Sequence, residues 1–311
     1  MPTISVLVPS YRRPDDLRRC LEALCTQQLG PAQVIVVARD ADESTHRVAQ
    51  AFADRLPLEI VKVSEPGQVH ALNAGLLRVK AEIVAITDDD AAPRPDWIAH
   101  IAAHFQADPQ IGGVGGRDWY YTPTGMVIVG QRRVVGRIQW YGRIVGNHHL
   151  GDGPAREVHI LKGANMSFRR VAIEGLSFNT GLRGHGAQVY NDMSFSLSVR
   201  NRGWKLIYNP VVAVDHYLAP RFDVDGREMF NADAVENSAF NLIWVIQTQL
   251  TGWRRFAARQ WQTWIGMGWK EPGLLRALLA RTKGDAQLCA RARAAHLGRK
   301  ASLDALKRKQ P

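Results

Sequence analysis

From the N-terminus to Asp90, short apolar runs rich in β-branched residues alternate with segments of helical period, and few folds accept that alternation. Thr3 to Pro9, Gln33 to Ala38, Leu58 to Val63 and Glu82 to Thr87 read as strands. In the first of these the apolar character is continuous rather than alternating, which suits a strand covered on both faces. Between them, Pro14-Asp15-Asp16 opens a pattern carrying Leu17, Leu21 and Leu24. Ser44 to Ala53 and Gln68 to Val79 follow as helices, the latter with Ala71, Leu72, Gly75 and Leu76 on one side. Strands alternating with helices predict βαβ units and an α/β fold with a mostly parallel central sheet flanked by helices. In such sheets ligands bind beyond the carboxyl ends of the strands. Three stretches fall there: Pro9-Ser10-Tyr11-Arg12, Arg39-Asp40-Ala41-Asp42 and Asp88-Asp89-Asp90.

The triple aspartate is the most informative of the three. Adjacent carboxylates repel one another unless a cation or a set of donors offsets the charge. At a strand end alternate residues share a side, so Asp88 and Asp90 can reach one site while Asp89 faces away. A hard cation such as Mg2+ or Mn2+ takes oxygen ligands, often one or two carboxylates with substrate phosphates completing the shell. The competing reading is an acidic turn in which Asp90 caps a helix.

Beyond this the pattern is less regular. Ile111 to Tyr121 is Gly-rich with aromatics, and residues 122–157 read as an insertion rich in Gly and Arg. Val158 to Phe168 resumes strand character around Gly163. A loop, GLRGHG, spans Gly181 to Gly186 and leads to a helix at Asn191-Asp192. Trp204 to Tyr208 and Val211 to Asp215 read as two further strands, with His216 directly after them. The expected organisation is an α/β domain over 1–235 (a first half 1–121, the insertion 122–157, a second half 158–235) and a helical, Trp-rich basic extension over 236–311.

Charge enters the argument at that extension. The net charge of +11 arises entirely after Trp253, where 14 Lys+Arg face 3 Asp+Glu, the preceding residues carrying 26 of each. Five of the nine tryptophans, at 244, 253, 261, 264 and 269, lie between Asn241 and Lys270. Trp favours the membrane–water interface, and each Lys or Arg near an anionic leaflet contributes about 1 kcal/mol. Peripheral contact with an anionic membrane through 244–309 is therefore expected in preference to nucleic-acid binding, the alternative use of a basic tail. A tail folded back with its tryptophans buried is the other outcome. The longest uncharged stretch, Asn237 to Trp253, is 17 residues and contains polar side chains, short for a membrane span. Cys20, Cys25 and Cys289 lack metal-type spacing and read as inert thiols of a reducing compartment. The N-terminus enters a strand without a signal-peptide pattern. The expected location is cytoplasmic, peripheral on the inner face of the cell membrane.

Five stretches in order, SVLVPSYRR, NAGLL from Asn73, AITDDDAAPRPDW, KGANMSFRR from Lys162 and YNDMSFSLSVRNRGWKLIYNP from Tyr190, resemble the motifs of family 2 glycosyltransferases of the GT-A fold, non-processive and of the type that builds bacterial polysaccharide or lipid-linked oligosaccharide. The resemblance covers Thr3 to His216, and it implies a catalytic domain over 1–235 with 1–121 as the nucleotide-binding half and 158–235 as the acceptor half. It implies transfer of a sugar from a nucleotide-diphosphate donor, a UDP-sugar foremost, to a glycan or lipid-linked hydroxyl acceptor with inversion, aided by Mn2+ or Mg2+. It places the metal-binding carboxylate at Asp90, with His216 as a further ligand, and Asp88 near the nucleoside. Pro9, Ser10, Tyr11 and Arg12 match the stretch that packs on the base. The family's acidic pair after the second strand is altered here, and Asp40 is the best match. The catalytic base falls on Asp192, although the first member of the usual acidic pair is Asn191. Gly163-Ala164-Asn165 matches the acceptor side of the pocket, and His185 is placed to touch donor sugar or acceptor. The absence of a QxxRW motif argues against a processive synthase. Two other readings stay open: a sugar-phosphate nucleotidyltransferase, disfavoured because SYRRPDD lacks the glycines of its phosphate loop, and a glycosyltransferase-like scaffold without activity, suggested by Asn191.

Overall fold

The computed structural model describes residues 1–122, 124–127, 130–219 and 230–308. The first strands and helices arise where the periodicity predicts them: β1 (Ile4–Ser10), α1 (Pro14–Cys25), β2 (Gln33–Arg39), α2 (Glu43–Gln50), β3 (Leu58–Val63), α3 (Gln68–Leu76) and β4 (Ile83–Ile86). β1 pairs in parallel with β2 and with β4, and β2 with β3. Pro14 starts α1, where its missing N–H is no loss, and Asp15 and Asp16 in the first turn complement the helix dipole.

The chain continues through β5 (Ala91–Pro93), α4 (Trp97–Ala107), β6 (Ile111–Thr122), β7 (Gly125–Met126), β8 (Arg137–Ile138), β9 (Ile144–Val145), β10 (Arg156–Val158), β11 (Met166–Arg169), α5 (Arg170–Ile173), α6 (Asn191–Asn201) and β12 (Lys205–Tyr217). In the main sheet the order is β10-β12-β6-β11-β4-β1-β2-β3, with β5 on β12 and β7 on β6. β11 enters antiparallel between β4 and β6, whereas β12 runs parallel to β6.

Two readings of the sequence change here. The Gly-rich stretch from Ile111 is a long strand deep in the sheet. Its glycines are required by close approach: a Cβ at Gly113 would press on Leu206 and Phe168, and one at Gly116 would overlap the Val212 carbonyl. The two strands expected after Trp204 are one, β12, with its register broken between Asn209 and Ala213.

The chain forms two compact units, one of residues 1–137, 146–178 and 195–219, the other of 138–145, 179–194 and 220–311. In the first, Val6, Val8, Val34 and Val36 face Leu17, Leu21, Leu24, Trp97 and Ile101 on one side of the sheet. Leu7, Ile35, Val37, Val84 and Ile86 face Val69, Leu72, Phe195 and Val199 on the other. Alternate residues of one strand thus feed opposite cores. Each fully buried leucine here contributes about 2 kcal/mol relative to exposure.

The second unit contains α7 (Ala232–Gln249), α8 (Gly252–Trp264), β13 (Gly266–Met267), β14 (Glu271–Pro272), α9 (Leu274–Thr282) and α10 (Ala286–Arg308). Lys309, the expected end of the basic tail, lies outside the described residues. α7 and α10 meet through Val235, Ala239, Ala294 and Ala295. Trp244 is buried, but Trp253, Phe256, Trp264 and Trp269 are exposed. On α9 the usual amphipathic arrangement is reversed. Leu274, Leu275, Leu278 and Leu279 are exposed while Ala280 is buried, and at about 100° per residue Leu278 lies about 160° round the helix from Ala280. Among the described residues no helix is long and apolar enough to cross a membrane.

Candidate active site

β4 ends at Ile86, and the next turn divides the three aspartates among different partners. Asp89 turns into the protein, accepting from Ser10 Oγ at 2.8 Å and from Arg13 Nη1 at 2.9 Å. Burial pushes its carboxyl up to about 7, against the pull of Arg13 and Ser10. Asp88 accepts from Gln68 Nε2 at 3.1 Å. Burial, then repulsion from Asp90, raises its pKa. Asp90 is buried and accepts the Ala219 N–H through Oδ2 at 3.2 Å. Burial opposes its charge, but His216, Arg13 and that N–H together hold it well below the usual carboxylate range.

His216 reaches this turn because β12 pairs with β5, setting His216 opposite Ala91. Its Nε2 lies 3.2 Å from Asp90 Oδ1. The two atoms are too poorly aligned for a hydrogen bond, and both are buried without one. Burial disfavours the imidazolium, yet Asp118 and Asp90 on either side raise its pKa to about 9. One ligand atom each from Asp88, Asp90 and His216 lies within 4.8 Å of the others. Two carboxylates and an imidazole, with a buried oxygen and a buried ring nitrogen facing each other unbonded, fit a divalent cation.

In addition to Arg13, two charged residues beside this group were not singled out from the sequence. Asp118 on β6 is fully buried, and its Oδ2 accepts from Lys162 Nζ and, at 3.4 Å, from His216 Nδ1. Lys162 also donates to Tyr120 Oη at 2.7 Å. Burial opposes both charges, but each holds the other ionised: the Asp118 pKa is lowered and that of Lys162 raised. Lys162 stands inside the KGANMSFRR stretch, whereas Asp118 lies amid glycines and aromatics with no signal of its own.

The remaining candidates are dispersed. Ser10 is committed to Asp89, Pro9 is buried in β1, and Tyr11 is exposed, with the Arg12 guanidinium over its ring. Asp40 is exposed at the end of β2, while Asp42 is buried at the start of α2. Asn165 is buried and engaged at both ends, accepting from Trp97 Nε1 at 2.9 Å and donating to the Val212 carbonyl at 2.8 Å.

In the second unit, Asp192 stands in the first turn of α6, its Oδ1 accepting the N–H of Met193 at 2.7 Å. Asn191 donates from its side chain to the carbonyls of Ala187 and Gln188 at 2.8 and 3.1 Å. A carboxylate could make neither bond, which accounts for the amide where the resemblance expects an acid. The approach to α6 is strained: Gln188 and Tyr190 have φ of 42° and 72°, rare for residues with a Cβ. Tyr190 is held there by Glu271 of β14, whose Oε1 accepts from Tyr190 Oη at 2.9 Å and from Ser238 Oγ at 2.5 Å. His185 is exposed in the loop before this segment.

A sheet of this order, with paired aspartates at the end of β4, is the GT-A fold. Solved structures share it. A mannosyltransferase of Pyrobaculum calidifontis in complex with GDP-Man and Mn2+ superposes with a TM-score of 0.57 over 99% of this chain and 88% of its own, at 18% identity. GalNAc-T7 with UDP, GalNAc and Mn2+ gives 0.64 over 82% of this chain and 49% of its own, at 14% identity. The chain belongs to the family described as Glycosyltransferase like family 2, which matches residues 2–231. Among its relatives, a glucosyl-dolichyl phosphate glucuronosyltransferase of Haloferax volcanii is 26% identical over 69% of each chain. An amylovoran biosynthesis glycosyltransferase of Erwinia amylovora is 33% identical over 34% of this chain and 42% of its own.

Proposed function

We propose that the protein transfers a sugar from a nucleotide-diphosphate donor, a UDP-sugar foremost, to a hydroxyl of a glycan or lipid-linked acceptor, with inversion at the anomeric carbon. The observation that carries this reading is the group formed by Asp88, Asp90 and His216 in a GT-A fold. Asp90 and His216 would hold Mn2+ or Mg2+, with Asp88 on the nucleoside side. When bound, such a cation neutralises charge on the departing nucleoside diphosphate. Pro9, Tyr11 and Arg12 contact the base, Ser10 supports them through Asp89, and Asp40 reads the base edge. His185 serves the sugar or acceptor. Asn165, with its amide engaged by protein, shapes the acceptor side through the backbone beside it.

Asp192 is the base in this reading. As the acceptor oxygen attacks the anomeric carbon, the carboxylate takes the hydroxyl proton. The bond from that carbon to the phosphate oxygen breaks, and its electron pair leaves with the diphosphate. A lipid-linked acceptor is supported by the name of the Haloferax relative and by the outward leucines of α9 and exposed tryptophans of α8, set among basic residues. These suit shallow contact with an anionic membrane surface.

The test is calorimetry with UDP and Mn2+, joined to turnover with a donor found by thermal-shift screening of UDP-, GDP- and dTDP-sugars. Asp90→Ala is expected to weaken metal-dependent UDP binding. Asp192→Asn is expected to retain donor binding and lose on the order of 10²–10⁴ in kcat. Undiminished metal coupling in the first variant overturns the metal site, and unchanged turnover in the second overturns the base.

A further inference from the structure

We propose that Asp118 is a positioning residue that aims His216 at the divalent cation, with Lys162 as its counter-charge. The inference rests on the metal reading of Asp90 and His216 and adds what that reading leaves open: why the imidazole presents Nε2 rather than Nδ1.

A ring nitrogen that binds a metal carries no proton, so the other nitrogen must, and its N–H needs an acceptor. β6 and β12 run side by side with Asp118 opposite Val214 and Tyr120 opposite His216. Residues two apart along a strand share a face, so Asp118, Tyr120 and His216 lie on one side of the sheet. There Asp118 Oδ2 is 3.4 Å from Nδ1, a long hydrogen bond, and the Tyr120 ring meets the imidazole edge-on at 5.5 Å. Nε2 is left facing Asp90 Oδ1 at 3.2 Å with no hydrogen bond. Lys162 Nζ sits on the same Asp118 oxygen and on Tyr120 Oη. Without that ammonium, Asp118 and Asp90 would share His216 as their common cation, leaving the buried Asp118 charge poorly compensated.

The experiment is Mn2+ titration of the full chain without donor, read by electron paramagnetic resonance for affinity and by electron spin echo modulation for 14N coupled to the ion. The wild-type protein is expected to show nitrogen coupling that His216→Ala removes. Asp118→Asn is expected to bind Mn2+ about tenfold to hundredfold more weakly, with the nitrogen coupling reduced. Lys162→Met keeps the Asp118 acceptor and is expected to retain the coupling at lowered thermal stability, and unchanged stability overturns Lys162 as the counter-charge. Asp118→Glu, which keeps the charge but moves the oxygen, is the variant to use should Asp118→Asn fail to fold, and it too is expected to lose coupling. Wild-type affinity and coupling in a folded Asp118 variant overturn the proposal while leaving the metal site standing. A wild-type protein that binds Mn2+ without nitrogen coupling overturns His216 as a ligand, and the role of Asp118 with it.

Discussion

Asp42 accepts the backbone N–H of Arg12 at 2.5 Å, tying the start of α2 to the loop that leaves β1. Arg12 has φ of 55°, so this bond holds a left-handed residue in the loop expected to meet the base. Asp42 also caps α2 through the Thr45 N–H at 3.2 Å and accepts from the hydroxyls of Thr45 and Ser44. Burial works against the charge, but these donors lower its pKa below the ordinary value. A depressed folded-state pKa contributes stability that is present above the unfolded value near 4 and is lost as pH falls through the folded one. Asp42→Asn keeps a capping oxygen but turns the other acceptor into a donor and removes the charge, and is therefore expected to cost about 1–3 kcal/mol at pH 7. In urea unfolding from pH 7 to pH 3, the gap between variant and wild type should narrow on the acid side. A gap independent of pH would show that the charge is not what matters.

Asn191→Asp restores the acidic pair of the resembling enzymes, yet activity is not expected to rise. The substitution removes the donor to two carbonyls and sets a carboxylate against them, a loss of about 1–3 kcal/mol. Thermal unfolding and turnover measured on the same preparation check both halves. Higher activity at unchanged stability would mean that Asn191 is a deficit in the chemistry.

Gly116→Ala should be among the more damaging single-methyl additions in the chain. The new Cβ would collide with the Val212 and Asn209 carbonyls where β12 breaks register. Backbone cannot rotate aside as a side chain can, so a loss of about 3 kcal/mol is expected in urea unfolding. Gly125→Ala, with open space around it but φ of 118°, separates steric overlap from backbone strain.

The outward face of α9 is tested by Leu278→Glu with Leu279→Glu. Both side chains are more than half exposed, at 62% and 58%, so thermal stability should hold within about 0.5 kcal/mol per site. The partition onto vesicles containing anionic lipid, read by flotation, should fall on the order of a hundredfold if each leucine contributes about 1.5 kcal/mol of apolar contact. Equal flotation of variant and wild type excludes this face as the contact.

The parallel half of the fold was legible because its strands are runs rich in β-branched residues, even where β3 carries Glu59 and Lys62, and each connecting helix has its own period. The separation of Asp89 from Asp88 and Asp90 agrees with the sequence reading, but a turn after β4 rather than the alternation of a strand produces it. β6 was hidden by the demand that makes it possible: neighbours pressing from both sides leave no room for the β-branched residues that announce a strand. Asp118 was hidden because its partners, Lys162 and His216, are brought to it only by strand pairing across long stretches of chain. The return of 138–145 and 179–194 to the C-terminal unit leaves no periodic trace in the sequence.

Glu271 stands in a short hairpin strand deep in what reads as an appendage, yet it fixes Tyr190, the residue two before Asp192. Removing the C-terminal segment therefore cannot be treated as trimming a detachable anchor. A chain ending at Thr251 lacks Glu271, and the left-handed turn that starts α6 loses its restraint. For engineers seeking to graft this tail or swap it between relatives, the unit of exchange must include residues 179–194 as well.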